Sequence, residues 1–385
     1  MNNVKIFATD IESEAIDQIN TLAAQASFAG QKIRIMPDVH AGMGCVIGFT
    51  STMGDYVIPN VVGVDIGCGM LTLPLGKMDI DLPKFDNQVK RSVPAGAGFY
   101  HKDDKYSFPR LAELRCYDKI NTKNAARMLG TLGGGNHFIE LDKDDNGEIY
   151  LVIHTGSRNI GKQVCDYYQK LAIANLKGSD VPRELCYLTG SDKDDYLHDM
   201  KIAQEYATMN RWAIATQILE NYFYPAKVSL SERFELKIDR ILECQGFETI
   251  HNYIDFEQFI IRKGAISARE GERVLIPLNM RDGAIIAVAK GTEDTNFSLP
   301  HGAGRSKSRT NAKASITLDE FTRSMEGIYT TTANQETIDE APQAYKTIES
   351  ILPFVEENAH IEHIIRPTYN FKAAEDRSWG KGKRR

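Results

Sequence analysis

One short segment of this 385-residue chain places a carboxylate and a thiol close together. In VVGVDIGCGM, at residues 61–70, Asp65 and Cys68 are three positions apart, and Gly67 and Gly69 flank the thiol. Glycine permits positive φ and close backbone approach, so such a turn can direct a carboxylate and a thiolate at one metal ion. A buried structural cysteine beside a turn aspartate is the alternative, because free cysteine is among the most buried residue types.

A second segment places three consecutive glycines before polar side chains. GTLGGGNHFIEL, at residues 130–141, contains Asn136, His137 and Glu140. A glycine-rich backbone can hold phosphate, but this segment lacks the GK[ST] ending of a Walker loop. If residues 136–141 form a strand, Asn136 and Glu140 share one face and His137 lies on the other. A single site would then require a bulge or a position at the strand end.

A third segment, HTGSR at 154–158, follows a strand-like run and precedes a helical pattern. A strand end, small residues and a helix N-terminus together form a common anion site, and Arg158 is able to bind phosphate in a bidentate manner. A capped turn with a surface arginine is the equally simple alternative.

The fourth segment is LPHGAGRSKSR at 299–309, and HNY at 251–253 precedes it by about fifty residues. His301 lies between Pro300 and Gly302, where a helix is disfavoured, and alternating cations that suit a phosphodiester backbone follow it. A histidine beside such a run can act as acid, base or nucleophile. The alternative is a solvated basic loop.

Together these segments supply one cysteine, three histidines and one aspartate, all in glycine-rich or strand-end contexts. Such a mixture of N, S and O ligands suits Mn, Zn or Fe, and phosphate-binding elements lie alongside. The residues by themselves therefore predict a metal-dependent enzyme that acts on phosphate esters or nucleotides.

The elements that position these residues follow from hydrophobic periodicity and from capping signals. Thr9 and Glu12 form a possible capping box before the first helix, and Thr317 and Glu320 form another. The pattern predicts a helix near 10–24, a strand at KIRIM, short strands within 40–75, a strand and helix over 149–176, a helix over 197–221, strands at 247–254 and 272–290, and a helix from Thr317 to about Met325. Strands and helices alternate irregularly, so we predict an α+β fold.

The amino-acid composition narrows the class of protein further. The chain is 42% hydrophobic and 25% charged, as in a globular protein, with no apolar run near the ~20 residues that span a bilayer. The net charge of −6 confines any nucleic-acid contact to local basic patches. The six cysteines form no CxxC pair, which excludes a disulfide scaffold and a zinc finger. No secretory signal is recognisable at the start, so the cytoplasm is the expected location.

Six motifs occur in order along most of the chain: PDVHAGMGCVIG at 37–48, VGVDIGCGM at 62–70, GTLGGGNHFIE at 130–140, HTGSRNIG at 154–161, HNY at 251–253 and HGAGRSKSRTNAK at 301–313. In content and order they resemble the motifs of the RtcB family of GTP- and manganese-dependent RNA ligases. The resemblance implies a single large α+β domain in which mixed β-sheets and helices surround a central cleft with two metal ions.

The resemblance also implies roles for individual residues. His301 matches the nucleophile that attacks the α-phosphate of GTP and becomes guanylylated. Asp38 and His40 are expected beside the site in supporting roles. The metal ligands implied for two Mn²⁺ ions are Asp65, Cys68, His137, His154 and His251. The implied GTP contacts are Asn136, Glu140, His301, Gly302, Ala303, Gly304 and Tyr345. The candidates for holding RNA phosphates are Arg158, Arg305, Lys307 and Arg309.

On this resemblance the substrates are GTP and RNA with broken ends, and an accessory activating protein is a further conceivable partner. The catalytic domain is expected over 1–371, followed by a basic tail over 372–385. Relatives end in a short Lys-Gly tail whose lysine reaches the guanylate, and either Lys372 or Lys381 is its counterpart here. The competing function is a metal-dependent phosphoesterase that uses the same cluster to activate water.

Overall fold

The computed structural model describes residues 3–101, 106–223 and 246–374. Helices and strands are mixed without regular alternation, which confirms the predicted α+β class. The helices are α1 (Ser13–Ala23), α2 (Pro59–Val62), α3 (Leu82–Ser92), α4 (Ala125–Met128), α5 (Arg158–Asn175), α6 (Gly190–Ile218), α7 (Arg309–Ser315), α8 (Leu318–Ser324) and α9 (Leu352–Asn358). In the part of the chain that the structure describes, no helix combines the length and apolar character needed to cross a bilayer.

The strands belong to three β-sheets. They are β1 (Asn3–Ile6), β2 (Lys32–His40), β3 (Ile47–Thr52), β4 (Gly69–Gly76), β5 (Phe138–Lys143), β6 (Ile149–Thr155), β7 (Phe247–Ile250), β8 (Asn252–Asp255), β9 (Ile260–Lys263), β10 (Ala265–Ser267), β11 (Arg273–Asn279), β12 (Gly283–Ala289), β13 (Ser298–Pro300) and β14 (Ala359–Lys372).

The largest sheet has seven strands in the order β11-β12-β14-β5-β6-β4-β7. A five-stranded sheet has the order β1-β2-β3-β9-β8, and β10 pairs with β13 in a third, two-stranded sheet. β1 and β2 run parallel, whereas the neighbouring strands of the largest sheet are antiparallel. Strands that are far apart in sequence are therefore neighbours, and their ends meet at common edges.

Alternation along the central strands divides the core of the seven-stranded sheet into two layers. On β4, Leu71 packs in a cluster with Phe85 of α3 and Ile214 of α6, whereas Met70 packs in another cluster with Val152 of β6. Successive side chains of a strand point to opposite faces, so both faces of this sheet are covered. The sheet is consequently rigid at the strand ends where the polar motifs lie.

Most of the predicted elements are confirmed, with two differences in detail. β6 and α5 form as expected, and the Thr317–Glu320 capping box opens α8. The Thr9–Glu12 box is wrong: α1 begins at Ser13, and the Glu12 carboxylate accepts a hydrogen bond from Ala41 N (2.6 Å) instead. α6 begins at Gly190, earlier than predicted, because the polar residues of its first turns give no apolar signal.

Candidate active site

The ends of three neighbouring strands bring the predicted ligands together. Cys68 immediately precedes β4, and Met70 of β4 is paired with His154 of β6. His137 immediately precedes β5, whose first residue is paired with the same His154. His137 lies just before β5, outside the regular alternation of its side chains. It can therefore join the same site as Glu140, although a regular strand would place the two on opposite faces.

His251 joins the same group from the other side of β4. It separates β7 from β8, and its backbone N–H donates to Cys68 O (2.9 Å). The close approach depends on glycine, since a Cβ on Gly69 would lie 2.5 Å from Thr249 O. A Cβ on Gly156 would lie 2.2 Å from Asp65 Oδ1. Both glycines of these motifs are therefore needed for packing at this edge.

The donor atoms of the cluster lie within coordination range of one another. Cys68 Sγ is 3.3 Å from His154 Nε2 and 3.5 Å from His137 Nε2. Asp65 Oδ2 is 3.0 Å from His137 Nε2. Cys68, His137 and His154 are all buried, and their donor atoms lie within 4.8 Å of one another. This group could hold a metal ion.

Backbone contacts orient the two imidazoles for metal binding. His137 donates its Nδ1–H to Leu132 O (2.9 Å), and His154 donates its Nδ1–H to Asn136 O (3.1 Å). The lone pairs of both Nε2 atoms then face the sulfur, and such fixed tautomers are typical of metal-ligating histidines. These electron pairs would repel one another unless a cation lay between them, so the donor set fits a metal ion.

Burial controls the protonation of the ligands. It lowers the pKa of His154 and of His251 well below the ordinary range, so both imidazoles are neutral at pH 7. Burial also raises the pKa of the Cys68 thiol, and the nearby Asp65 carboxylate raises it further. A bound cation favours the thiolate and thereby opposes this rise. His251 Nδ1 is buried and has no hydrogen-bond partner among the described residues, as expected of a ligand atom.

His301 lies next to this cluster, with its ring centroid 5.1 Å from that of His251. Asp38 holds it twice: its Oδ2 accepts from the ring Nδ1–H (2.6 Å) and from the backbone N–H of His301 (3.1 Å). The remaining ring nitrogen, Nε2, therefore carries the lone pair. The Asp38 carboxylate is fully buried near the C-terminal end of β2, and its two hydrogen bonds fix this orientation of the ring.

His40 is the other histidine of the PDVH motif, and it also faces the site. Its Nδ1 contacts Asp38 O (3.0 Å), and burial lowers its pKa to about 4. The expected supporting residues are thus both beside His301.

A cavity of about 480 Å³ opens over these groups. His301, His154 and His251 line it together with His40. Its lining also includes the other predicted contacts Asn136, Glu140, Gly302, Ala303, Gly304, Arg305, Lys307, Arg309 and Tyr345. Cys68 lies deeper and reaches the cavity wall through its contact with His154.

One end of the cavity is built from buried charged residues. The Glu140 carboxylate accepts a hydrogen bond from Asn370, and burial raises the pKa of Glu140 to about 7. Lys372 Nζ lies 3.1 Å from Glu340 Oε2 and over the ring of Phe138. Of the two candidate tail lysines, Lys372 lines the cavity as the last residue of β14. Lys381 lies outside the described residues.

The cations after His301 are engaged in internal ion pairs. Arg305 contacts Glu340 Oε1 (3.3 Å) and the carbonyl of Asp339 (2.6 Å). Arg309 contacts Asp339 Oδ2 (2.8 Å) and Glu340. These contacts hold the segment that carries Gly302 and Gly304, and they engage both guanidinium groups in ion pairs within the protein. Lys307 is half-buried, and its Nζ donates to Ser315 Oγ (3.1 Å).

Arg158 is placed away from the cavity lining. Its Nε donates to Thr131 Oγ1 (3.2 Å), and its guanidinium covers Gly133, where a Cβ would lie 1.9 Å from Nη1. The residue has a positive φ of 54° at the start of α5. Arg158 therefore joins the HTGSR and glycine-rich segments to each other.

Sequence reasoning did not find Glu340 and Asn370, which complete the charged end of the cavity. Glu340 lies in a short 3-10 helix and Asn370 lies within β14, and neither is part of a recognisable motif. Glu340 meets Arg305, Arg309 and Lys372, and Asn370 meets Glu140, across at least 30 residues of sequence, and no local signal identifies such residues.

The fold and the site define a class of protein: an α+β protein with a buried group of cysteine and histidine side chains that could hold a metal ion, beside a histidine fixed by a buried aspartate. A family model described as tRNA-splicing ligase RtcB matches residues 18–117 and 105–373. The chain belongs to the RtcB family.

Curated relatives agree with this assignment. The RNA-splicing ligase RtcB of Escherichia coli (strain K12) is 32% identical over 92% of this chain and 93% of its own length. The tRNA-splicing ligases RtcB of Nanoarchaeum equitans and Aeropyrum pernix are each 28% identical, over 91% and 90% of this chain and 90% and 89% of their own lengths.

Proposed function

We propose that this protein is an RNA ligase that joins RNA 3′-phosphate or 2′,3′-cyclic phosphate ends to 5′-hydroxyl ends in RNA splicing or repair. GTP and two Mn²⁺ ions are the proposed co-substrate and cofactors, and RNA with broken ends is the substrate. The observation that carries the proposal is the Asp38–His301 pair, which lies beside the metal-ligand cluster at the wall of one cavity. Family membership supports the same activity.

The geometry of His301 suits nucleophilic attack on phosphorus. Because Nδ1–H is donated to Asp38, the Nε2 lone pair is available to attack the α-phosphorus of GTP. An Nε2–P bond forms, the bond from this phosphorus to the β-phosphate oxygen breaks, and pyrophosphate leaves. The buried Asp38 carboxylate stabilises the positive charge that develops on the ring.

Two transfers complete the reaction. An oxygen of the RNA 3′-phosphate attacks the phosphorus, the Nε2–P bond breaks, and RNA-3′-pp-G forms while His301 is regenerated. The 5′-hydroxyl oxygen of the second RNA end then attacks the 3′-phosphorus and displaces GMP. A cyclic end is first opened by water to the 3′-phosphate.

Other residues bind and orient the reactants. The residues that would hold the two ions are Asp65, Cys68, His137, His154 and His251, and ions bound there would supply positive charge against the phosphate oxygens. Glu140 is suited to the guanine edge, because a carboxylate accepts from both N1–H and N2–H2. Asn136, Tyr345 and the backbone of residues 302–304 line the cavity and are proposed to contact the guanylate. Lys307 donates to a serine hydroxyl rather than to a carboxylate, so it is the cation of its segment proposed to hold an RNA phosphate.

The test is covalent labelling of purified protein with α-labelled GTP and Mn²⁺, followed by denaturing electrophoresis. We expect an acid-labile, alkali-stable label on the wild type that is absent from His301→Ala. The exposed His360 provides a matched control, so His360→Ala should label normally. Hydrolysis of phosphate esters without GTP, together with no label on the metal-loaded wild type, would support the phosphoesterase alternative instead.

A further inference from the structure

Two buried polar side chains, Asn370 and Asp142, lie beside Glu140 in the seven-stranded sheet. Asn370 of β14 is paired with Glu140 of β5 across the strands, and its Nδ2 donates to Glu140 Oε1. Asp142 follows two residues after Glu140 on β5 and therefore points to the same face. The three side chains thus share one face of the sheet.

Three oxygen atoms of these two side chains receive no hydrogen bond from the described residues. Asp142 and Asn370 are both 0% exposed. Among the residues that the structure describes, Asp142 Oδ1, Asp142 Oδ2 and Asn370 Oδ1 have no hydrogen-bond partner. The surrounding cluster on this face is apolar and includes Met70, Phe138, Tyr150, Val152, Leu275 and Ile286. An ionised carboxylate without a partner is strongly disfavoured in such surroundings.

The protonated form of Asp142 removes this conflict. Burial raises the pKa of Asp142 well above its ordinary range, and the charge of Glu140 raises it further. A protonated carboxyl has one O–H to donate, and Asn370 Oδ1 is an unpartnered acceptor on the adjacent strand. A hydrogen bond from protonated Asp142 to Asn370 Oδ1 would select the amide orientation in which Nδ2 faces Glu140. The opposite orientation would place two oxygen atoms against each other.

The orientation of Asn370 decides what Glu140 can recognise. A hydrogen bond donated to a carboxylate favours its charged form, which can only accept. A charged Glu140 pairs with N1–H and N2–H2 of guanine, whereas a neutral one carries an O–H that pairs with N1 of adenine. Burial raises the pKa of Glu140 to about 7 although the charge of Lys372 and the hydrogen bond from Asn370 both oppose the rise. Loss of that hydrogen bond would therefore raise the pKa further and favour the neutral carboxyl.

We propose that Asp142 and Asn370 are positioning residues that hold Glu140 as a hydrogen-bond acceptor and thereby make the site select guanine over adenine. This inference rests on the proposed function, in which a guanine nucleotide occupies the cavity.

The test compares guanine and adenine nucleotides in wild type, Asp142→Leu, Asn370→Leu and Asp142→Asn. Initial rates of covalent labelling are measured with α-labelled GTP and ATP, and equilibrium affinities are measured with GMP and AMP. Both leucine variants should lower the guanine-to-adenine ratio by roughly ten- to hundredfold, the range expected for one lost hydrogen bond to a charged group. Asp142→Asn should keep the ratio, because its amide N–H can still donate to Asn370 Oδ1.

The same set of variants includes a control for correct folding. Asp142→Leu places an apolar side chain in an apolar cluster, so its melting temperature should match or exceed that of the wild type. Retained labelling with ATP would show that His301 is still positioned. A folded Asp142→Leu variant with an unchanged ratio would overturn the inference, and so would Asp142→Asn behaving like Asp142→Leu. If the wild type prefers GMP and the leucine variants lose that preference, but no protein becomes labelled, the inference stands and the proposed ligase mechanism fails.

Discussion

Replacing Asp38 by asparagine should slow guanylylation without weakening nucleotide binding. The carboxylate is 0% exposed and holds the His301 ring at 2.6 Å and its backbone N–H at 3.1 Å. Asparagine keeps the shape and one acceptor oxygen but removes the charge that stabilises the ring during attack on phosphorus. Asp38 does not line the cavity, so contacts to the nucleotide should persist.

The size of the effect follows from the hydrogen bond that changes. Hydrogen bonds to charged groups contribute about 1.5–3 kcal/mol and neutral ones about 0.5–1.5 kcal/mol. The difference of about 1–2 kcal/mol corresponds to roughly a 5- to 30-fold slower reaction. The assay is the single-turnover rate of label incorporation at saturating GTP, with the GTP dependence measured in parallel.

A matched control separates this effect from general damage to the core. Asp199 is also 0% exposed, and it accepts hydrogen bonds from Arg115 N, Cys116 N and Tyr168 OH. Asp199→Asn should lower stability and leave the rate of the folded fraction unchanged. An Asp38→Asn rate within about twofold of wild type, or a loss confined to GTP affinity, would refute this reasoning.

Three further predictions concern metal binding, charge burial and pH. Cys68→Ser should sharply reduce metal content measured by elemental analysis, whereas the buried Cys165→Ser should not; equal loading would contradict the ligand assignment. Glu340→Gln should destabilise the protein by about 3–5 kcal/mol in denaturant, because it leaves the buried ammonium of Lys372 beside a neutral group, and a loss under about 1 kcal/mol would contradict this. Burial lowers the pKa of His40 from 6.5 to about 4, so only the unfolded chain binds this proton between those values. The free energy of unfolding should therefore fall by up to about 3 kcal/mol as the pH drops through this window, and His40→Gln should remove that part of the slope.

The fold could be predicted from sequence where a local pattern was strong. β6 and α5 follow from a β-branched run, a small-residue turn and a helical pattern, and α8 follows from its capping box. The prediction of the first capping box was wrong because the Glu12 carboxylate accepts a hydrogen bond from the backbone of Ala41. Ala41 is distant in sequence, so the local pattern gives no sign of this contact. The predicted start of α6 was wrong because the first turns of this helix are polar and show no amphipathic pattern.

The candidate site also has one part that could be predicted from the sequence and one part that could not. The sequence by itself determined the types of ligand and their glycine-rich turns, since a thiolate, imidazoles and a carboxylate carry their chemistry wherever the chain places them. It also indicated His301, through its position between Pro300 and Gly302 and before the cations.

Only the tertiary structure decided which charges remain available and what lies behind Glu140. Arg305 and Arg309 are cations that suit phosphate in the sequence, but both form ion pairs with Glu340 in the fold. Asn370 reaches Glu140 across 230 residues of sequence because β14 pairs with β5. Pairing between distant strands depends on the packing of the whole sheet, and no local propensity encodes it.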